Sequence, residues 1–150
     1  MLIASAKSGD ELRHVFVTLQ SAKAFDRFED GRGPVLDAIG RAEDLKRLDT
    51  TGFGLRVAPV MAAIRLIREK LPKETALLGF AGAPWTVASY MIEGGSSRDY
   101  EKAKAWAYGD PAGFARLIEV LVNATSDYLL AQIEAGVNAV QIFDSWAGAL

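Results

Sequence analysis

Two short uncharged runs, "TALLGF" (Thr75–Phe80) and "NAVQIF" (Asn138–Phe143), bracket the second half of the chain. Each runs straight into a turn-forming or polar group, "AGAP" after the first and "DSWAG" after the second. Apolar runs of this length, bounded by turns and free of charge, are the pattern of parallel strands buried on both faces. Parallel strands must be joined by crossovers, and the intervening sequence has helical period. The expected architecture is therefore α/β, with a parallel sheet and right-handed crossovers.

The helices are delimited by local chemistry. Ala83-Pro84 opens one, because proline is pre-organised for the first helical position. In "GDPAGFARLIEVLVNATSDYLLAQIEAG", Asp110 is the N-cap, Pro111 the first helical residue and Gly136 the stop, with Phe114, Leu117, Leu121, Ala124 and Tyr128 down one face. Upstream, "LRVAPVMAAIRLIREKL" carries Val57, Val60, Met61, Ile64, Ile67 and Leu71 at helical spacing. Pro59 is expected in its first turn, where it costs little, and Pro72 ends it. "RAEDLKRLD" reads as a short exposed helix. "FEDGRGPVL" (Phe28–Leu36) holds turn signals at Asp30-Gly31 and Gly33-Pro34.

Composition narrows the function classes. With 150 residues, half of them hydrophobic, the chain is expected to bury about two-thirds of its unfolded surface in a single domain. A net charge of −2 offers no electrostatic footprint for nucleic acid or an acidic membrane surface. No run approaches the roughly 18 apolar residues of a membrane helix, and the amino terminus lacks a signal peptide's apolar segment. The absence of cysteine removes disulfides and thiolate metal sites and fits a reducing compartment. A cytoplasmic location follows as the expectation.

In parallel α/β folds, ligand sites form at the carboxyl ends of the strands. Here those ends lead into Ala81–Trp85 and Asp144–Ala147. Strand alternation puts Phe80 on one side of the first strand and Phe143 and Ser145 on one side of the second. If both sets face inward, two aromatic rings floor a pocket with a serine at its rim. Tyr90 lies on the helix that opens at the same end, four residues after Thr86, so its phenol can turn back over that floor. Plainer roles stay open: Phe80 and Phe143 as core aromatics, Tyr90 as a core residue with a backbone partner, Asp144 and Ser145 as helix caps. No single residue decides between them.

Other motifs carry less. "GFG" at Gly52–Gly54 lacks the third glycine of a dinucleotide fingerprint, and "EGGSSRDY" lacks the lysine of a phosphate loop. Ser97 or Asp99 is expected to cap "DYEKAKAWA". The lone His14 has no partners for a metal or a triad, and no metal-binding constellation is present in the sequence.

"FEDGRGPVL", "GFAGAPWTVASYMIEGG" and "VQIFDSWAGAL", in this order, closely resemble the uroporphyrinogen decarboxylases of heme and tetrapyrrole biosynthesis, and the likeness runs from about Phe28 to Leu150. The resemblance implies the central βα units of a (β/α)8 TIM barrel, commonly a homodimer. It also implies a carboxy-lyase that converts uroporphyrinogen III to coproporphyrinogen III, by removing carbon dioxide from four acetate side chains without metal or organic cofactor. By matching motif, Tyr90 and Ser145 correspond to active-site hydroxyls, and Phe80 and Phe143 to aromatic substrate-binding residues. Asp144 would repel the substrate's carboxylates and is assigned to capping.

The sequence also departs from that family. Its arginine-rich amino-terminal motif, its "SD" aspartate upstream of Phe28 and its carboxy-terminal histidine have no counterpart here, and Asp10 and Asp26 do not substitute for the aspartate. A complete barrel takes about 250 residues, so residues 1–150 are expected to form one incomplete barrel domain, with 1–27 unlike the family and 28–150 like it. The expectation is a fragment inactive by itself. Two rivals remain: a non-catalytic porphyrin-binding or scaffold fragment, and a corrinoid-dependent methyltransferase of the same superfamily, which would need zinc ligands.

Overall fold

The computed structural model describes residues 27–29, 33–35, 37–95 and 97–149, so all of the expected segment 1–27 except Arg27 lies outside the described residues. The first elements are a small antiparallel hairpin, β1 (Arg27–Glu29) and β2 (Gly33–Val35), with Phe28 opposite Pro34. Gly33-Pro34 therefore belongs to a strand, while Asp30-Gly31 lies outside the described residues. The expected exposed helix is a 3-10 helix, Ala42–Arg47, with no buried residue.

Helix α1 spans Phe53–Lys70 and corrects one expectation. It starts two residues before Leu55, from Gly52 in the left-handed region, so Pro59 sits inside the helix beyond its first turn. Proline there removes one ladder bond. Its ring faces solvent, while Val57 and Met61 on the other face are buried.

Strand β3 (Leu78–Gly82) leads through Ala83 into α2 (Pro84–Glu93), then α3 (Glu101–Gly109), α4 (Pro111–Ala135) and β4 (Ala139–Phe143). β3 and β4 pair in parallel, with Leu78 opposite Ala139 and Gly82 opposite Phe143. The α/β class and the parallel pair are as the sequence implies, but β3 lies toward the carboxyl end of the expected Thr75–Phe80 run. Its register is pinned below the strands. Asn138 Oδ1 accepts from Leu77 N–H at 2.9 Å and from Arg68 at 3.1 Å, and the same guanidinium holds the carbonyls of Pro72 and Thr75 at 2.8 and 2.9 Å.

Local chemistry delimits α4 as expected. Asp110 accepts from Gly113 N–H at 2.9 Å, Pro111 is the first helical residue, and Gly136 closes the helix at φ 110°. Leu117, Leu121, Ala124 and Tyr128 are buried along it, and α4 packs on α1, α2, α3 and β3. Ile39, Val87, Met91 and Ile92 complete the centre of the core. Each buried aliphatic side chain contributes about 2 kcal/mol.

The expectation of two strands buried on both faces fails. β3 buries Gly79, Ala81 and Gly82, whereas every residue of β4 is exposed. Helices cover one face of β3; β4 has less cover on either face among the described residues.

One residue deals with the free edge of β3. The Ala83 N–H reaches Phe143 O and the Asn138 N–H reaches Leu77 O, so alternate residues of β3 face β4 and Phe80 faces the opposite edge. There the Gln132 amide, buried on α4, accepts from Phe80 N–H and donates to Phe80 O, both at 3.0 Å. It does the work of a neighbouring strand. Gly79 makes room for it, because a Cβ at that position would stand 2.5 Å from Gln132 Oε1.

Candidate active site

At the carboxyl ends of β3 and β4, the Phe80 and Phe143 rings meet edge to face, with centroids 5.7 Å apart and planes at 81°. The residue opposite Phe143 is Gly82, which has no side chain, so the Phe143 ring reaches diagonally to Phe80. Phe80 is half-buried and Phe143 is 52% exposed. Among the described residues they form an aromatic surface.

Ser145 follows two residues after Phe143 and is exposed. Next to it, Trp146 is half-buried between two tyrosines: Tyr90 at 6.4 Å, edge-on, and Tyr100 at 5.2 Å, tilted. Tyr90, half-buried on α2, thus reaches the strand ends through Trp146. Phe80 touches Phe143, Ser145 continues the same strand end, and Tyr90 joins by way of Ser145's neighbour.

The loop after β4 is tied to the first turn of α2. Ala83 N–H donates to Phe143 O at 2.7 Å, Thr86 Oγ1 to Asp144 Oδ1 at 2.7 Å, and Trp85 Nε1 to Trp146 O at 2.7 Å. Asp144 was expected to cap the following helix. Its carboxylate instead accepts from Thr86 across the strand ends, because the 2% exposed Thr86 hydroxyl needs a partner away from water.

Tyr100 is a second phenol that sequence reasoning missed. It opens α3 at φ 53°, in the left-handed region, and is 2% exposed. Among the described residues, its buried hydroxyl and the buried Trp146 Nε1 have no hydrogen-bond partner. Burial, with the neighbouring Tyr90 and Glu93 opposing a further negative charge, pushes the Tyr100 phenol up to about 12. Ser97 Oγ accepts from Tyr100 N–H at 3.2 Å, and Glu93 caps α3 by accepting from Ala103 N–H at 3.1 Å. Asp99 makes no cap bond to α3. The sequence held no signal for it, because Tyr100 stands between Asp99 and Glu101 at the start of a charged helix.

A separate cavity of about 590 Å³ lies at the start of α1, lined by Thr50, Phe53, Leu55 and Asp127 among others; none of the four expected site residues borders it. Among the described residues, no three His, Cys, Asp or Glu side chains cluster as metal ligands, and no helix is long and apolar enough to cross a membrane.

Comparison with known proteins decides the family. The family model described as uroporphyrinogen decarboxylase (URO-D) matches residues 16–150. The chain belongs to the uroporphyrinogen decarboxylase family. The match starts ahead of Phe28 and includes the hairpin and all four expected site residues. Uroporphyrinogen decarboxylase of Rhodospirillum rubrum is 53% identical over 123 residues, which are 82% of this chain and 35% of that protein. Those of Mesorhizobium japonicum and Brucella anthropi are 50% and 48% identical over 124 residues, 83% of this chain and 36% of theirs. The chain thus spans about a third of the length of the curated relatives it matches.

Proposed function

We propose that the chain supplies central βα units of a (β/α)8 barrel that decarboxylates the acetate side chains of uroporphyrinogen III to give coproporphyrinogen III. The observation that carries this reading is the edge-to-face Phe80–Phe143 pair at the strand ends, beside the Tyr90–Trp146–Ser145 group, in a member of the uroporphyrinogen decarboxylase family.

An exposed aromatic surface suits the apolar face of a tetrapyrrole macrocycle, which is buried without needing charge from the protein. Tyr90 and Ser145 bring hydroxyl donors that suit the carboxylates around the ring. In the decarboxylation, the bond between the acetate methylene and its carboxylate breaks, carbon dioxide leaves, and the electron pair passes into the substrate's own pyrrole, protonated on a ring carbon. A proton then replaces carbon dioxide on the methylene carbon, and the ring carbon gives up the proton it had taken, which restores the neutral pyrrole. The residues' part is to bind, orient and exclude water from the reacting acetate. The cytoplasmic location and homodimer expected of the family belong to the same reading.

By itself, the 150-residue chain is expected to bind porphyrin without turning it over. Anaerobic incubation with uroporphyrinogen III followed by chromatography of the oxidised porphyrins should return only the octacarboxylic form. Titration with coproporphyrin should saturate and quench tryptophan fluorescence. Absence of saturable binding at any attainable concentration overturns the reading of the aromatic floor, and conversion to coproporphyrinogen overturns the inactivity of the isolated chain.

A further inference from the structure

Ser145 is exposed, yet the residues on both sides of it are held by one buried hydroxyl. Thr86 stands in the first turn of α2 and is 2% exposed. Its Oγ1 donates to Asp144 Oδ1 at 2.7 Å, and Trp146 N–H reaches the same oxygen at 3.4 Å. An amide N–H can only donate, so the hydroxyl accepts from Trp146 and its own proton goes to the Asp144 carboxylate. One side chain therefore spends its donor on the residue before Ser145 and an acceptor on the residue after it.

The surrounding bonds isolate Ser145 further. Phe143 O is held by Ala83 N–H and Trp146 O by Trp85 Nε1, both at 2.7 Å. Across residues 143–146 every position except Ser145 is tied to the Ala83–Thr86 turn. A stretch fixed on both sides of one exposed serine presents that hydroxyl in a set place, with little freedom left to lose when a ligand arrives. Packing alone does not explain the choice of residue, since valine has the shape of threonine and lacks only the hydroxyl.

We propose that Thr86 is the positioning residue for Ser145. Its hydroxyl bridges Asp144 and Trp146, and so sets where the Ser145 hydroxyl stands against the Phe143 edge of the aromatic floor. The consequence for substrate rests on the function proposed above; the positioning itself does not.

The test compares the wild-type chain, Thr86→Val and Thr86→Ser by residue-resolved amide hydrogen exchange and by coproporphyrin titration. Thr86→Val should speed exchange at the Trp146 amide, which donates to Thr86 Oγ1, by about tenfold, the size expected for losing a hydrogen-bonded bridge, and leave Leu121 and Leu129 in α4 unchanged. It should weaken coproporphyrin binding by a similar factor. Thr86→Ser, which keeps the hydroxyl, should return both to within about threefold of wild type. Unchanged exchange at Trp146, an equal acceleration in α4, or failure of serine to rescue each overturns the proposal. If the wild type binds no coproporphyrin, the functional reading falls and the exchange data alone decide the role of Thr86. Should Thr86→Val not fold, Asp144→Ala breaks the bridge from its exposed side, and unaltered exchange at Trp146 in that variant overturns the positioning role.

Discussion

β3 and β4 are five-residue strands paired residue for residue, and both come from short uncharged runs, yet Gly79, Ala81 and Gly82 of β3 are buried while all of β4 is exposed. What differs is the cover. β3 lies against α4 and feeds directly into α2, whose Val87, Ala88 and Met91 are fully buried. β4 keeps Val140, Ile142 and Phe143 at 37%, 48% and 52% exposure. Hydropathy states what a strand would gain from burial; which faces are covered is decided by the elements around it. The uncovered strand carries Phe143 and leads to Ser145, and the covered one supplies the turn that holds them in place.

The largest expected effect tests that contrast directly. Leu121→Ala, at a fully buried position on α4, should cost about 3 kcal/mol as the lost contacts and the residual cavity add together. Ile142→Ala on β4 should cost under about 1 kcal/mol, because the side chain is already half in water. Urea unfolding midpoints measure both, and equal losses would erase the distinction between the strands. Next in size are the devices on the free edge of β3. Gln132→Leu strands the Phe80 N–H and C=O, and Gly79→Ala drives a methyl into the Gln132 amide. Each should cost about 2 kcal/mol and speed exchange at the Phe80 amide; a silent Gln132→Leu would show that this edge needs no partner.

Tyr100 sharpens the comparison from the other side, because it is a cost inside the well-covered region. Removing its unpartnered hydroxyl with Tyr100→Phe should stabilise the chain by about 1 kcal/mol at neutral pH. The phenol's folded-state value is raised to about 12 from an ordinary value of 10, so above pH 10 the unfolded chain gives up this proton first. Stability tied to Tyr100 is complete below pH 10 and is lost as pH rises toward 12. Thermal melts between pH 9 and 11.5 should therefore fall less steeply for Tyr100→Phe than for wild type; parallel slopes would mean that the phenol is not held neutral by burial. The smallest effect on stability is expected from Phe143→Leu, within about 1 kcal/mol. The same change should weaken coproporphyrin binding several-fold, since the ring supplies the edge-to-face partner of Phe80. Unaltered affinity would remove Phe143 from the proposed floor.

Features governed by neighbours in the chain were legible without coordinates. Asp110, Pro111 and Gly136 mark α4 because capping, the preset proline angle and the left-handed glycine act within one turn, and the stripe from Leu117 to Tyr128 follows from helical period. Alternation grouped Phe143 with Ser145 and left the meeting with Phe80 conditional on both strands turning those faces the same way, which the ring contact shows they do. Pro59 was misplaced by the same kind of reasoning, because Gly52 started the helix earlier than proline's usual position would suggest.

The rest required the tertiary structure. Thr86 meets Asp144 across 58 positions, Trp85 meets Trp146 across 61 and Gln132 meets Phe80 across 52. Such partners belong to different elements, and neither periodicity nor propensity encodes which of them a buried hydroxyl or amide will reach. By itself the sequence determined the α/β class, the limits of α4 and the placing of the two aromatic rings at the strand ends. Folding decided which strand is covered and how the loop carrying Ser145 is held, because burial and hydrogen-bond satisfaction depend on every element packed around a residue.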